Sequence, residues 1–374
     1  MALALNYHNS NSTHFQFLIN LNVENEIRMR EDQTAKRKRE HLKLCLTDDV
    51  KFKSKTNGFD RYDFIHYALT EVEIDKINFE TKFFKKKINY PFLISCMTGG
   101  TTEAENINAK LAIAAEELKI PVGVGSQRQA LESNKYADSY KAIRKNAPTV
   151  PVLGNIGGAQ IVKLKKLEHV KKLVDQIEAD AMVIHLNPLQ ELLQKEGEPD
   201  FKGLLRKIKE LVKILDVPII FKEVGAGISR QAAKSLLEIG VKGIDVAGAG
   251  GTSWAGVEML RNKSQNEIEL WDWGLPTSYC IKEVYKLKKS FKFILIGSGG
   301  INSPVDAAKA FALGADIVAS ARIILQTLNR DGVEGVKNLI ASWFDFVKSV
   351  MFLTGTKLIS ELQNNKIILK EKLY

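Results

Sequence analysis

The sequence predicts a (β/α)8 TIM barrel carrying an N-terminal extension, and three observations predict it. From residue 92 onward, short apolar runs rich in Val and Ile alternate with longer segments of helical period, the pattern of βα units around a parallel sheet. Eight such runs can be counted, the number that closes a barrel. No GxGxxG follows the first run, which weakens an open dinucleotide-binding sheet.

In order, the strand candidates are FLISCMT (92–98), PVGVGS (121–126), VPVLGN (150–155), AMVIHLN (181–187), PIIFKEV (218–224), GIDVAG (243–248), FILIGS (293–298) and DIVASA (316–321). Helices are expected between them at 103–119, 162–178, 202–215, 230–239 and 304–313. Residues 1–35 lack the basic and long apolar stretches of a targeting segment and are assigned to a weakly ordered extension, leaving 36–374 as one domain.

The 374 residues are 45% apolar and 26% charged, enough to bury a large core. Net charge is +10, but the basic residues are scattered, and the run at 36–43 contains no aromatic. That favours attraction of anionic small molecules over a nucleic-acid groove, which would interleave aromatics with Lys and Arg. Cys45, Cys96 and Cys280 have no paired spacing, so a cytoplasmic chain without disulfides or zinc is expected. No apolar stretch approaches the twenty residues of a membrane span.

Active sites of this fold sit at the C-terminal ends of the strands, so those ends carry the functional reading. They are Met97-Thr98-Gly99-Gly100, Ser126-Gln127-Arg128, Asn155, His185 with Asn187 and Gln190-Glu191, Lys222-Glu223, Gly250-Gly251-Thr252, Ser298-Gly299-Gly300 and Ala321-Arg322. GSGGINSP after the seventh strand, faced by SARI from the eighth, suits a phosphate cradle, because glycines let backbone N–H groups approach an anion. A phosphate held there puts a flavin mononucleotide or a phosphosugar over the barrel mouth. Lys222 lies in an apolar strand, where an unpaired ammonium is costly. Its partner is a ligand anion or a barrel carboxylate, and strand alternation points Glu223 the other way.

Together RKREHL (37–42), MTGG (97–100), GVGSQR (123–128), GNIGGAQ (154–160), HLNPLQELLQKEGEPDF (185–201), FKEVGAGIS (221–229), GAGGTSW (248–254), WGLPT (273–277) and GSGGI (297–301) resemble the type II, FMN-dependent isopentenyl diphosphate isomerases, over about residues 36–357. The resemblance implies a redox-neutral 1,3-proton shift between isopentenyl and dimethylallyl diphosphate. It implies reduced FMN as the acid–base agent, NADPH to keep it reduced, Mg²⁺ on the diphosphate, and a homo-oligomer, tetramer or octamer, serving isoprenoid biosynthesis. On this likeness Arg37, Lys38, His41, Ser126, Gln127, Arg128, His185, Asn187 and Gln190 bind the substrate, with His185 and Gln190 catalytic. Met97, Thr98, Gly99, Ser126, Asn155, Lys222, Thr252, Gly300, Ile301, Asn302, Ala321 and Arg322 hold FMN, and Glu191 contacts Mg²⁺.

The chemistry of these residue types agrees. Guanidinium and ammonium groups suit a diphosphate, and one carboxylate plus phosphate oxygens suits Mg²⁺. An alkene is a poor base, and no histidine or carboxylic acid stands out at the strand ends as the strong acid it needs; reduced flavin N5 fills that gap. Gln190 is expected to relay or orient the proton leaving C2, and Cys96 to pack beneath the site. One departure is Ala247, where the family commonly has Ser or Thr. A hydroxyacid oxidase on the same barrel would pair a histidine base with an arginine, which His185 and Arg128 can imitate, but Gln190-Glu191 and the basic pair argue against it. A nucleotide dehydrogenase would want a cysteine just after GSGG, where Ile301-Asn302 stands.

Overall fold

The computed structural model describes residues 33–47, 49–133, 135–264, 268–363 and 366–373; of the expected extension at 1–35, residues 1–32 lie outside them. Eight parallel strands close into a barrel: β1 (Phe92–Ile94), β2 (Val122–Gly123), β3 (Val152–Gly157), β4 (Ala181–Leu186), β5 (Ile219–Glu223), β6 (Gly243–Asp245), β7 (Ile294–Gly297) and β8 (Ile317–Ser320), with β8 pairing back onto β1. All eight expected strands are present; seven end earlier than expected, where the chain turns into loops, while β3 runs two residues beyond its expected end at 155.

Period-two alternation sorts the side chains. Phe221, Ile184 and Ile244 pack outward against the helices, while Leu153, Val183, Ile220 and Ile296 fill the barrel interior. The N-terminal mouth is stoppered by the hairpin Thr81–Phe83/Lys86–Ile88, whose Phe83 and Ile88 join that interior cluster. Two residues further along five consecutive strands, the inward positions are Asn155, His185, Lys222, Asp245 and Ser298. The barrel thus changes from an apolar layer to a polar one in a single step, and the polar layer is the floor of the site.

The expected helix at 162–178 is two, Gly158–Lys163 and Glu168–Gln176, because the chain breaks at Leu164, whose backbone (φ −60°, ψ 125°) leaves the helical region. The last barrel helix, Arg322–Leu353, changes course at Gly332 and seats Trp343 and Phe344 against Phe92. A first helix, α1, spans residues 33–45 and so takes in three residues, 33–35, of the expected extension. No helix among the described residues is long and apolar enough to cross a membrane.

Candidate active site

α1 lies across the C-terminal mouth of its own barrel. Thr34, Arg37, Lys38, His41 and Cys45 recur every three or four residues, and all line one cavity of about 300 Å³ at the strand ends. The helix is docked rather than solvated. Lys38 Nζ donates to Gly99 O (2.7 Å), Ser126 O (3.1 Å) and Tyr140 Oη (3.0 Å). His41 Nε2 lies 2.9 Å from Glu258 Oε1, its ring edge-on to Trp254, and Arg261 bonds Glu40 at 2.9 Å. A charge run that alone suggests a wet surface therefore folds down as the roof of the site.

The roof is electropositive. Burial and the facing Arg128 push the Arg37 guanidinium below its ordinary value, and burial with Arg37 pushes Lys38 down to about 7. Unfavourable positive charge held together in a half-buried space is relieved by an anion. Arg128 bonds its helix neighbour Glu132 at 3.2 Å, on the rim of the same cavity.

On the floor, Asn155 Nδ2 donates to Val124 O (3.2 Å), which fixes the amide so that Oδ1 faces His185 Nδ1 at 2.7 Å. Nδ1 therefore carries the proton and Nε2 is bare. Burial, with Lys222 and Lys38 nearby, pushes this imidazole down to about 4, so it is neutral at pH 7. Donation from His185 to a phosphate oxygen thus needs a second proton, drawn by the substrate's own charge. A stability prediction follows. Between pH 6.5 and 4 the unfolded chain binds a proton that the folded one refuses. The contribution of this histidine is complete above pH 6.5 and is lost as pH falls through about 4, by at most ~3 kcal/mol. Urea midpoints measured across that window should fall more steeply for the parent than for His185→Gln; equal slopes would contradict the assignment.

Asn187 is buried, donates to Glu191 Oε1 (3.0 Å) and Gln190 Oε1 (3.2 Å), and leaves its own Oδ1 without a partner at the cavity wall. Glu191 also accepts from Glu198 N (2.8 Å). No group of three or more His, Cys, Asp or Glu is placed to hold a metal among the described residues, so a cation at Glu191 would take its other ligands from water and phosphate oxygens.

The glycine wall is built from two loops in contact. A Cβ on Gly299 (φ +97°) would meet Gly248 O at 2.2 Å, and one on Gly300 (φ +68°) would meet Gly250 O at 2.5 Å. Thr277 Oγ1 ties them by donating to Gly299 O (2.6 Å). Gly300, Ile301, Asn302, Ala321 and Arg322 line this side beside the start of the last barrel helix, the arrangement of backbone donors and helix dipole that phosphate needs. Arg322 is buried and bonds Thr47 O at 3.4 Å.

A model of the FMN-dependent dehydrogenase family matches residues 31–184 and 166–369. Proteins named isopentenyl-diphosphate delta-isomerase from Pelodictyon phaeoclathratiforme and Nostoc sp. are each 43% identical. The first alignment covers 90% of this chain and 98% of that protein, the second 89% and 95%. The chain belongs to the isopentenyl-diphosphate delta-isomerase family. Solved structures of similar fold include a flavocytochrome b2 mutant with pyruvate bound (TM-score 0.64, 20% identity, 86% of this chain and 79% of that one). A mandelate oxidase mutant is another (TM-score 0.61, 15% identity, 86% and 93%), and both are alike in fold alone.

Against that family frame, Met97, Thr98, Gly99, Ser126, Asn155, Lys222 and Thr252 all line the cavity, as do Arg37, Lys38, His41, Arg128, His185, Asn187, Gln190 and Glu191. Gln127 does not. It is fully buried behind the wall, with Nε2 on Leu173 O (3.0 Å) and Oε1 accepting from Asn155 N (3.0 Å), so it braces Asn155 and is no substrate ligand. Thr98 Oγ1 is engaged with Asn108 Oδ1. Cys96 lines the floor with its thiol pushed up to about 12 by burial, which suits packing. Glu223 accepts from the N–H groups of Val224 (2.6 Å), Gly225 (2.7 Å), Ala226 and Gly227 (3.2 Å), folding the loop after β5 and pairing with no cation among the described residues.

Two carboxylates escaped the sequence reading. Glu258 is fully buried behind Gln190, accepting from Gln190 Nε2 (3.0 Å) and Arg261 Nη1 (3.0 Å). Burial raises its pKa, but His41, Gln190 and Arg261 outweigh that and hold it below its ordinary value. Its sequence signal is a lone acid among Ala255, Val257 and Met259. Asp245, the other, stands beside Lys222 at 3.3 Å.

Proposed function

We propose that the protein interconverts isopentenyl and dimethylallyl diphosphate by a 1,3-proton shift on FMN. The observation that carries this reading is a single helix face, Arg37, Lys38 and His41, laid over a glycine-walled barrel mouth next to Glu191 and the orphan amide oxygen of Asn187. The glycine loops and the start of the last barrel helix would hold the FMN phosphate, and Lys222 the ring's polar edge. The electropositive roof would hold the diphosphate, with Arg37 and Arg128 offering bidentate forks. When bound and reduced, FMN supplies an acidic N–H and an electron-rich ring.

The protein's own residues do the rest. α1 shuts the mouth against water. Glu191 would hold Mg²⁺ on the diphosphate, and Asn187, which donates to Glu191 Oε1, orients that carboxylate. Gln190 receives the proton leaving C2 through its carbonyl side or positions a water that does, with the ionised Glu258 one hydrogen bond behind it as the local base. No group changes oxidation state across the cycle, since one proton arrives at C4 and one leaves C2. NADPH as reductant, a cytoplasmic setting and assembly into a tetramer or octamer belong to the same reading. The cytoplasmic setting is supported by three cysteines that stand free.

The test supplies purified protein with FMN, NADPH, Mg²⁺ and isopentenyl diphosphate. Dimethylallyl diphosphate should form while the flavin stays bleached. Absence of isomer, or oxygen uptake on a 2-hydroxy acid, would overturn the reading. Glu191→Gln in the same assay should keep its flavin and require at least tenfold more Mg²⁺, within the 10–100-fold range typical of disturbed metal sites. A variant that purifies without flavin would refute the metal role.

A further inference from the structure

Resting on the FMN reading just given, we infer that Asp245 is a positioning residue that sets how much of the Lys222 charge reaches the flavin. Its carboxylate is 1% exposed. On β6 it sits directly across from Lys222 on β5, the two being register partners, and both side chains point into the barrel. Oδ2 is 3.3 Å from Lys222 Nζ, and Oδ1 accepts from Ser298 Oγ at the start of the glycine loop. One carboxylate thus joins the residue expected at the flavin ring to the strand that carries the phosphate cradle.

A buried carboxylate survives only when paired and hydrogen-bonded, and Asp245 meets that demand with one cation and one hydroxyl. The consequence for Lys222 is that its positive charge is shared. The other groups facing the pair are the Cys96 thiol, protonated and pushed up to about 12, and neutral His185. Neither replaces Asp245 as counter-ion. An anion developing on the flavin edge competes with Asp245 for the same ammonium, so Asp245 holds the reduced form's stabilisation down. Ser298 opposes this, because its hydrogen bond draws charge off the carboxylate.

The two substitutions at this pair therefore act with opposite signs. Asp245→Asn should free Lys222 and raise the affinity of the site for reduced relative to oxidised FMN by on the order of tenfold, read as a reduction potential about 30 mV higher for a two-electron couple. Ser298→Ala, which keeps the charge but removes the hydroxyl, should lower that ratio. A merely structural role would move both variants the same way. The measurement is an anaerobic redox titration of FMN-loaded protein by absorbance. An unchanged or lowered ratio in Asp245→Asn would overturn the inference while leaving the isomerase reading standing. A parent protein that takes up no FMN would overturn both. If Asp245→Asn does not fold, Ser298→Ala decides alone: a lowered ratio supports the inference, and an unchanged or raised one overturns it.

Discussion

Lys222→Met is expected to lower the reduction potential of bound FMN and to destabilise the fold by roughly 3–5 kcal/mol, the cost of leaving a buried charge without its partner. The second effect comes from Asp245, which loses its cation at 3.3 Å while staying 1% exposed. The first comes from the ring, since a unit charge at about 4 Å and an effective dielectric near 20 is worth on the order of 4 kcal/mol before solvent adjusts. The two effects separate in the double variant Lys222→Met with Asp245→Asn. Removing both charges should restore most of the stability, as replacing an entire buried pair is far gentler than breaking it. It should not restore the potential. Chemical denaturation and redox titration of the three proteins check this. A Lys222→Met potential within about 10 mV of the parent, well below the 30 mV of a tenfold effect, would reduce Lys222 to a structural ion-pair member.

The barrel was legible because its signal is repeated eight times, and the polar floor because alternation is strict. An apolar residue inside the barrel followed two positions later by Asn155, His185, Lys222 or Ser298 marks the change of layer in each strand. Asp245 obeys the same rule after Gly243 but was hidden, because an aspartate near glycines reads as turn chemistry. Gln127 misled in the opposite sense. It sits between two residues that do line the cavity, yet its side chain turns behind the wall, a rotation no linear motif records. Glu258 was out of reach for a different reason. Its partners Gln190 and His41 come from two distant segments and Arg261 from the next turn of its own helix, and only folding shows that a lone acid in an apolar helix is a buried anion held by all three.

The glycines of GSGG raise the question of whether they serve the ligand or the fold, and the answer predicts a large effect. Gly299 has φ +97°, and a Cβ there would stand 2.2 Å from Gly248 O and 2.4 Å from Gly248 N, atoms of a backbone that is itself pinned by Gly248 N to Ser298 O at 3.0 Å. Nothing in that contact is the flexible end of a side chain. Gly299→Ala must part the two loops that form the cradle wall, so about 2–5 kcal/mol of stability and the bound FMN should be lost together, the sum of left-handed strain and overpacking against a rigid neighbour. Gly203→Ala separates those two contributions. Gly203 has φ +82°, but its Cβ would meet only Arg206 Nη2 at 3.9 Å, so strain alone, about 1–2 kcal/mol, is expected there with FMN retained. Thermal unfolding with flavin content compares the pair. If Gly299→Ala matched Gly203→Ala in both readouts, close packing of the loops would not be what demands glycine. The demand would then come from the phosphate alone, and the wall would be a consequence of the cradle rather than its support.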